Sequence, residues 1–354
     1  MPQIAAATAR CQLANRTCPT SLSKTILQIV IPTLPAMEAP LHTTPLLNAI
    51  NGLPGPNVLQ DHPPFLRACH SPWRFIPQHI LVILRGTVLA YLFAVGLMIC
   101  HFKIFDETTD HSKWALFFHF GMMSFGFTLF YHLTTFSWTY THLYHPNANE
   151  TEGVVERGII RAMSLPKNMG SLRKQFYFTL FHTITCVSGF ISWAVYWLIT
   201  RQYIVVAGSA ADESVPNGLL GTPFSDLFGE GWFPVFVISN LYGAPSITMI
   251  IETMFFNSIK RPFAVGRHVF GLMAFNVLYL LWGQIGKAVS GCYPYFWMDA
   301  SKVGSLEAVT AYSIGFVLLA PIMFVVMQGF VAARERLTRN NSPARTIVRQ
   351  VLDR

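Results

Sequence analysis

The chain has 354 residues, of which 52% are hydrophobic and only 12% are charged. A soluble globular domain carries about twice that share of charged residues, so the composition excludes an ordinary soluble protein and predicts a membrane protein. The net charge of +8 at pH 7 is explained by basic residues beside membrane spans, which attract anionic lipid, and nucleic-acid binding is not expected.

The first 70 residues differ from the rest of the chain. They are rich in Pro, and their one apolar stretch, residues 26–31, is too short to cross a bilayer. No basic segment followed by a small-residue cleavage site is present, so a signal peptide is not predicted. We predict that residues 1–70 form a disordered, Pro-rich cytoplasmic segment.

Six apolar runs follow, each long enough to cross a hydrocarbon core of about 30 Å as a helix. They cover residues 78–101, 114–136, 176–200, 232–256, 265–288 and 306–331. Lys and Arg are concentrated after the second and fourth runs and in the C-terminal tail, while the other connections are acidic. By the positive-inside rule, this alternation predicts that both termini are cytoplasmic.

The predicted fold is therefore all-α, a polytopic membrane protein with a bundle of six transmembrane helices over residues 71–336. It lies in an endomembrane or in the plasma membrane, and the sequence predicts no particular oligomeric state. A basic amphipathic cytoplasmic tail, residues 337–354, completes the chain. A second amphipathic segment, residues 154–163, places its apolar residues on one helical side. Both segments either lie on the cytoplasmic membrane surface or pack on the bundle.

Arg85 and Glu252 are charged residues inside predicted spans. Arg85 lies about two turns inside the cytoplasmic end of the first span, and Glu252 about one turn inside the same end of the fourth. A buried charge without a partner is expensive, so we expect the two side chains to neutralise each other. The pair is either a binding site for a lipid head group or a plain interhelical ion pair.

Other polar side chains lie at similar or greater depth. His132 and His182 fall in the cytoplasmic half of the second and third spans, and Asn240 and Asn276 fall near the midplane of the fourth and fifth. A polar pocket suited to a lipid is predicted from these four and from Ser246, Thr248 and Gln284. The alternative for each residue is an interhelical hydrogen bond worth about 0.6 kcal/mol.

No cofactor or metal site is predicted. His119 and His132 lie thirteen residues apart in one run, which rotates them about 140° apart on a helix, so both cannot ligate one haem. No two Cys have a metal-ligand spacing, and neither the His-x-x-x-His nor the His-x-x-His-His pattern occurs. The Gly-x-Ser-x-Gly pattern of serine hydrolases is also missing. Cys100 and Cys292, both predicted at the outer face, form either a disulfide or two unpaired thiols.

The order of motifs from the fourth span onward resembles a known family. Asn240-Leu241-Tyr242 begins a span that ends in Glu252, and a basic turn with Pro262 follows. After a span with Trp282 comes the outer motif Cys292-Tyr293-Pro294-Tyr295-Phe296. With Trp73-Arg74-Phe75 before the first span, this pattern resembles the androgen-induced, FAR-type membrane proteins and the related rolling-stone family over residues 71–336.

The resemblance implies six spans and, in the members with known activity, a threonine hydrolase that cleaves fatty acid esters of hydroxy fatty acids. A threonine and a histidine carry that reaction, because a hydroxyl nucleophile needs a base to remove its proton. In this chain the threonine position is Pro77, and the histidine positions are Leu241 and Ala244. We therefore predict a protein of this type that binds the bilayer and a fatty-acyl lipid or a membrane partner without that chemistry.

Two alternatives remain open. The first is a lipid-ester hydrolase with a relocated active site, for which His182, His132, Asn240 and Glu252 are the candidates for base and orienting roles. The second is a small-molecule transporter that uses the pair Arg85 and Glu252.

Overall fold

The computed structural model describes residues 63–106, 113–145, 153–203, 232–262 and 264–340, and every regular element within them is helical. In chain order the α-helices are α1 Pro64–Cys69, α2 Gln78–His101, α3 Phe120–Tyr144, α4 Val154–Met163, α5 Leu172–Ala194, α6 Trp232–Ile251, α7 Val265–Ser290, α8 Ala300–Val303 and α9 Leu306–Asn340. Wider π-helical turns extend α2, α5 and α6, over Phe102–Asp106, Val195–Thr200 and Glu252–Phe256. Short 3-10 turns cover Lys113–Phe118 and Phe296–Met298.

Five helices in the described part of the chain are long and apolar enough to cross a membrane. They are α2, α5 with its extension to Tyr203, α6 with its extension to Phe256, α7, and α9 as far as Thr338. These five coincide with five of the six apolar runs and are compatible with an integral membrane protein. The all-helical fold class is confirmed for the described residues.

Helix α3 corresponds to the remaining run, but its bounds differ from the predicted 114–136. The chain first forms the 3-10 turn Lys113–Phe118 and is extended at His119, so α3 begins at Phe120. It then continues to Tyr144. His132 consequently lies at the midpoint of α3. Apolarity alone did not locate this start, because the 3-10 turn is also apolar.

Helix α3 is less hydrophobic than the five helices above because it lies among other helices. It packs against α2, α5 and α6, and its hydroxyl-bearing residues face those neighbours. The buried ones are Ser124, Thr128, Thr135, Ser137, Thr139 and Thr141. Several bond a carbonyl four residues earlier in their own helix, as Thr128 does with Ser124 at 3.0 Å. By contrast, Phe130 of α3 is 59% exposed, so the polar side of the helix faces protein and an apolar side faces outward.

Helices α5 and α6 approach closely where Gly189 faces Pro245. A Cβ atom on Gly189 would lie 3.3 Å from the backbone carbon of Pro245, so glycine permits this contact. The hydroxyl of Ser246 donates to the carbonyl of Gly189 at 2.9 Å. Pro245 lies inside α6 and has no N–H to donate to the carbonyl four residues earlier. Hydroxyl groups of the same helix bond its backbone nearby. Thr248, for example, donates to the carbonyl of Ala244 at 2.7 Å.

The packed part of the chain begins before residue 71, with helix α1. Its residues Phe65, Leu66, Ala68 and Cys69 are buried, and the Phe65 ring stacks on Phe178 at 5.1 Å. The prediction that residues 1–70 are disordered is therefore wrong for α1, whose short apolar sequence gave no span signal. Residues 1–62 lie outside the described residues, and the prediction for them stays a prediction.

Helix α4 is amphipathic as predicted, and most of its apolar side is not covered. Ile160 is buried, whereas Val154 is 83% exposed, Val155 is 76% exposed and Ile159 is 55% exposed. The structure thus places α4 at one end of the bundle with an apolar surface still open. We call this end, where α4 joins α3 to α5, the basic end. Most of the predicted amphipathic tail, residues 341–354, lies outside the described residues.

At the opposite end, α7 holds the 3-10 turn Lys113–Phe118. Tyr279 donates to the carbonyl of Phe118 at 3.1 Å and accepts from the amide of Phe120, also at 3.1 Å. The indole of Trp282 donates to the carbonyl of Phe117 at 3.2 Å. Cys100 and Cys292 are both free, so the predicted alternative of two unpaired thiols describes the structure.

The packing of α1 gives a stability prediction. Phe65 is 3% exposed and contacts both Phe178 and Trp138, so Phe65→Ala should destabilise the protein by about 3–5 kcal/mol. Phe75→Ala is the matched control, because Phe75 is 67% exposed and should change the thermal midpoint in detergent little. Equal midpoints for the two variants would show that α1 is not docked on the bundle.

Candidate functional site

The densest group of polar contacts surrounds the C-terminal end of α6. The π-helical turn Glu252–Phe256 closes with the amide of Asn257 donating to the carbonyl of Glu252 at 2.9 Å. The last carbonyls of a helix have no partner within it, so each needs a donor from elsewhere. In this protein the donors are side chains of α2, α9 and the segment before α2. We call this group the α6 cap.

Arg85 of α2 makes five contacts in the α6 cap and is fully buried. Its Nη2 donates to Glu252 Oε1 at 2.7 Å, to the Phe256 carbonyl at 3.1 Å and to the Ala68 carbonyl at 2.6 Å. Its Nη1 donates to Thr139 Oγ1 at 2.5 Å and to the Thr135 carbonyl at 3.2 Å. The guanidinium therefore joins α2 to α1, α3 and α6, and the expected contact with Glu252 is confirmed.

The Glu252 carboxylate is also fully buried, and one of its oxygens makes all of its contacts. Besides Arg85, Oε1 accepts from the Tyr131 hydroxyl at 3.3 Å and from Asn257 Nδ2 at 3.5 Å. Among the described residues Oε2 has no hydrogen-bond partner. Such an ion pair is stable only where its geometry and extra hydrogen bonds offset the loss of water. The contacts of Arg85 with carbonyls supply that compensation.

A second buried guanidinium, that of Arg334 on α9, completes the α6 cap. It is 2% exposed and donates to the carbonyls of Thr253, Asn257 and Ile259 at 2.9, 3.0 and 2.5 Å. It also donates to Asn257 Oδ1 at 3.1 Å. A cation is favourable at a helix C-terminus because the helix dipole is negative there. Arg334 thus attaches α9 to the end of α6 through oxygen atoms alone.

The segment before α2 supplies the remaining donors. Ser71 donates its hydroxyl to the Phe255 carbonyl at 2.6 Å, and the Trp73 indole donates to the Met254 carbonyl at 2.7 Å. Arg334 donates to the Thr253 carbonyl and Arg85 to the Phe256 carbonyl. The carbonyls of residues 253–256, at the end of α6, therefore each accept from a different side chain. The Trp73-Arg74-Phe75 motif therefore has a specific partner in this chain through its tryptophan.

His182 contacts the α6 cap through its Nε2 atom. This nitrogen lies 3.5 Å from Asn257 Nδ2 and 3.7 Å from Cys186 Sγ. The His182 ring also lies 5.3 Å from the ring of Tyr131. A chain of polar atoms thus runs from His182 through Asn257 to Glu252. Cys186 and His182 do not form a nucleophile–base–orienter arrangement, because the same ring nitrogen meets both neighbours.

His132 makes no comparable contact. Within the described residues neither of its ring nitrogens has a hydrogen-bond partner, although the side chain is 1% exposed. Its ring lies 5.7 Å from that of Tyr131, so Tyr131 separates the two predicted histidines. The structure therefore brings His132 and His182 to one region without a direct bond between them.

The two predicted asparagines bond to different helices. Asn240 accepts a hydrogen bond from the Tyr91 hydroxyl of α2 and donates to the Phe236 carbonyl at 2.9 Å. Asn276 donates to the Phe316 carbonyl of α9 at 3.0 Å. Each is thus occupied by an interhelical contact. Neither asparagine lines the groove or the crevice described below.

Two cavities lie at the basic end, and neither is lined by Arg85 or Glu252. The larger is an open groove of about 530 Å³ between α3 and α4, lined by Tyr140, Thr141, His145, Gly153, Val155, Glu156, Ile159, Ile160 and Met163. The smaller is a crevice of about 10 Å³ lined by Thr179, His182, Thr183, Ile259, Lys260, Pro262, Met327, Gln328 and Val331. Arg85, Glu252 and Arg334 of the α6 cap are buried.

Sequence reasoning missed Arg334, Asn257 and Tyr131. Arg334 was counted among the tail bases because the apolar run ends at residue 331, yet α9 continues as a helix to Asn340. Asn257 follows the predicted span, and Tyr131 is less conspicuous than the neighbouring His132. Arg334 could have been found by extending the last helix beyond its apolar run. It lies about one turn past residue 331, near the same end of the bundle as Glu252.

The residues predicted to stand where the resembling family has its threonine and histidines offer neither a nucleophile nor a base. Pro77 immediately precedes α2, while Leu241 and Ala244 are buried in α6 with aliphatic side chains. No group of three or more His, Cys, Asp or Glu suited to a metal ion occurs in the described ranges. Comparison of the chain with protein-family models, with curated proteins and with solved structures finds no match.

The α6 cap predicts an order of stability among variants. Arg85→Leu should cost about 3–5 kcal/mol, because it leaves a buried carboxylate unpaired and removes donors from three carbonyls. Glu252→Gln should cost less, because Gln keeps an oxygen acceptor and Arg85 keeps its four other acceptors. Thermal unfolding in detergent measures both. A larger loss for Glu252→Gln would mean that the carboxylate, and not the carbonyl contacts, dominates.

Proposed function

We propose that the chain is a six-span membrane protein of the androgen-induced and rolling-stone type, with both termini in the cytoplasm. It binds an anionic phospholipid at the basic end and does not perform the hydrolysis of those relatives at their catalytic position. The single observation that carries the binding proposal is the open groove between α3 and α4, which has a largely apolar lining and lies beside a helix that also carries Arg157 and Arg161.

The sixth span in this proposal is α3. Its 25 residues correspond to about 37 Å of helix, which is enough to cross a hydrocarbon core. It packs among α2, α5 and α6, so lipid does not surround it. The side of α3 that faces these helices therefore need not be hydrophobic. An even number of spans then agrees with the basic residues after α3, after α6 and in the tail.

The groove suits a lipid acyl chain. Val155, Ile159, Ile160 and Met163 of α4 form one wall, and Tyr140 of α3 belongs to the other. A volume of about 530 Å³ lies within the range of about 300–1,000 Å³ that is usual for ligand sites. An amphipathic helix with a large uncovered apolar side is also the form that lies in a membrane interface.

The charges around α4 select an anionic head group. Arg157 and Arg161 lie on α4, and Lys167, Arg173 and Lys174 follow it. Each basic side chain near a membrane surface contributes about 1 kcal/mol to the attraction of anionic lipid. Glu156 is the one acidic residue of the described groove lining. The balance of charge therefore favours a phospholipid with net negative charge over a zwitterionic one.

The two alternative functions receive less support from the α6 cap. Transport by Arg85 and Glu252 would need the pair to exchange partners, but the contacts of Arg85 join α1, α2, α3 and α6. Hydrolysis at the family's position would need a hydroxyl and an imidazole, and Pro77, Leu241 and Ala244 supply neither.

The topology can be tested with glycosylation sites. Asn-x-Ser/Thr acceptors occur at Asn15, Asn149 and Asn340, all on the side proposed to be cytoplasmic, so none should be glycosylated in microsomes. Leu219→Thr creates an acceptor at Asn217 in the connection proposed to be outside, and this variant should gain one glycan. Modification at Asn149 would overturn the six-span topology.

Lipid binding can be tested by native mass spectrometry of the purified protein with phosphatidylserine. Replacing both Arg157 and Arg161 by Gln removes two charges and should weaken binding about 30-fold, from about 1 kcal/mol for each side chain. Lys302→Gln is the matched control, because Lys302 is exposed at the opposite end and should leave binding unchanged. Equal affinity for phosphatidylcholine, or for the double variant, would contradict the proposal.

A further inference from the structure

The crevice at the basic end lies where three parts of the chain meet. Its lining residues come from α5, from the connection between α6 and α7, and from α9, and none of them is acidic. At about 10 Å³ it has room for one occupant of about the size of a water molecule. The crevice is therefore a candidate site for a single small ligand that touches all three parts.

Gln328 of α9 is the lining residue that points to a ligand. Within the described residues both the nitrogen and the oxygen of its amide are buried without a hydrogen-bond partner. A buried amide in this state is costly, and an ordered water or ion is a common explanation for one. Because no hydrogen bond fixes this amide, either end of it can face the crevice. Gln328 thus indicates a ligand without deciding its charge.

The two hydroxyl groups of the lining already have partners in the protein. Thr179 Oγ1 of α5 lies 3.0 Å from His268 Nε2 of α7 and 3.0 Å from the carbonyl of Gln175. The hydroxyl of Thr183 donates to the carbonyl of Thr179 at 2.7 Å. The donors that a ligand would use are therefore sought on Gln328 and on the remaining polar side chains of the lining.

His182 contributes an N–H donor to the lining. Asn257 Oδ1 accepts from Arg334 Nη1 at 3.1 Å and from the Ile259 amide at 3.3 Å, so Asn257 Nδ2 is the atom that donates. It lies 3.5 Å from His182 Nε2, which is therefore an acceptor. A neutral imidazole that accepts at Nε2 carries its proton on Nδ1. His182 thus has one N–H to offer.

The buried charges beside the crevice are positive in sum. Arg85, Arg334 and Glu252 are all buried, so the α6 cap contains two cations and one anion, a net charge of +1. Arg334 itself donates to carbonyl and amide oxygens, which carry no full charge. Glu335 and Arg67 also lie within electrostatic range of Arg334, and their opposite charges offset each other. A buried charge without a counter-ion is expensive, so an anion beside Arg334 would be stabilised.

Arg334 adjoins the crevice directly. Its Nη2 donates to the Ile259 carbonyl at 2.5 Å, and Ile259 belongs to the lining. Val331, about one turn before Arg334 on α9, belongs to it as well. Lys260 adds a second basic side chain, and the same connection leads into α7, whose N-terminus is the positive end of a helix dipole. This surrounding charge favours an anion over a neutral water molecule.

We propose that the crevice binds one small monatomic anion such as chloride. The Gln328 amide and the His182 N–H donate to the ion, and Arg334 supplies the balancing charge from behind Ile259. Met327, a flexible side chain of the wall, adjusts to an ion slightly larger than water. The ion holds α5, α9 and the connection between α6 and α7 together. The site lies apart from the groove, so it does not depend on the proposed lipid binding.

The test measures thermal unfolding of the full-length protein in detergent while chloride replaces gluconate at constant ionic strength. Gluconate is an organic anion too large for a crevice of about 10 Å³. The midpoint of the wild type should rise by about 2–4 °C for each tenfold increase in chloride above half-saturation. Gln328→Leu removes the amide donors and should abolish this rise. Gln284→Leu is the matched control, because Gln284 is exposed near the opposite end of α7, and it should keep the rise.

A second variant and a direct observation accompany the first. Gln328→Glu places a carboxylate where the anion is proposed to lie, so its midpoint should not depend on chloride and should be no lower than that of the wild type in gluconate. Bromide, a halide with an anomalous X-ray signal, should give a peak in the crevice within hydrogen-bonding distance of the Gln328 amide in crystals of the wild type. That peak should be missing in both Gln328 variants.

Three outcomes would overturn the inference. Equal midpoints of the wild type in chloride and in gluconate would mean that the crevice holds water or nothing. A chloride response that persists in Gln328→Leu and Gln328→Glu would be a general salt effect. Bromide peaks found only on the protein surface would show adventitious binding. If Gln328→Leu gives no cooperative transition, the response of Gln328→Glu and the bromide map decide between these outcomes.

Discussion

The end of α6 is the point on which the arrangement of the other helices depends. Its last carbonyls lie where neither water nor a continuing helix can satisfy them, and side chains from α2, α9 and the segment before α2 do so instead. Two of these side chains are guanidinium groups, and Glu252 accompanies them. The buried charges of this protein therefore form part of its helix packing, and the ion pair is one contact among many.

The same constraint explains how polar residues are distributed. Buried polar groups need partners inside the protein. Hydroxyl groups of α3 bond their own backbone, the Tyr91 hydroxyl of α2 donates to Asn240, and Asn276 donates to the Phe316 carbonyl of α9. Large apolar side chains such as Phe130 face outward. The groove and the crevice lie at the basic end and are lined by neither asparagine.

A hydropathy pattern indicates how far a residue lies from the end of a span, but not which way it faces or which helices are its neighbours. Counting residues from the ends of a span gives depth, which placed Arg85 beside Glu252 correctly. It gives no rotation about the helix axis, so it did not show that Asn240 faces α2 whereas Asn276 faces α9. It also cannot show which helices are neighbours. Thr179 and His268 lie 89 residues apart, and only the contact of α5 with α7 brings them together.

The sequence separation within the α6 cap has a consequence for biosynthesis. Arg85 and Glu252 lie 167 residues apart, so at about 5–20 residues per second the arginine is made roughly 10–30 s before its carboxylate. Arg334 and the carbonyls that it binds assemble later still. During that interval Arg85 can donate to Ala68, Thr135 and Thr139, but no carboxylate lies beside its charge. The nascent chain therefore depends on α1 and α3 to hold the guanidinium of α2 until α6 is made.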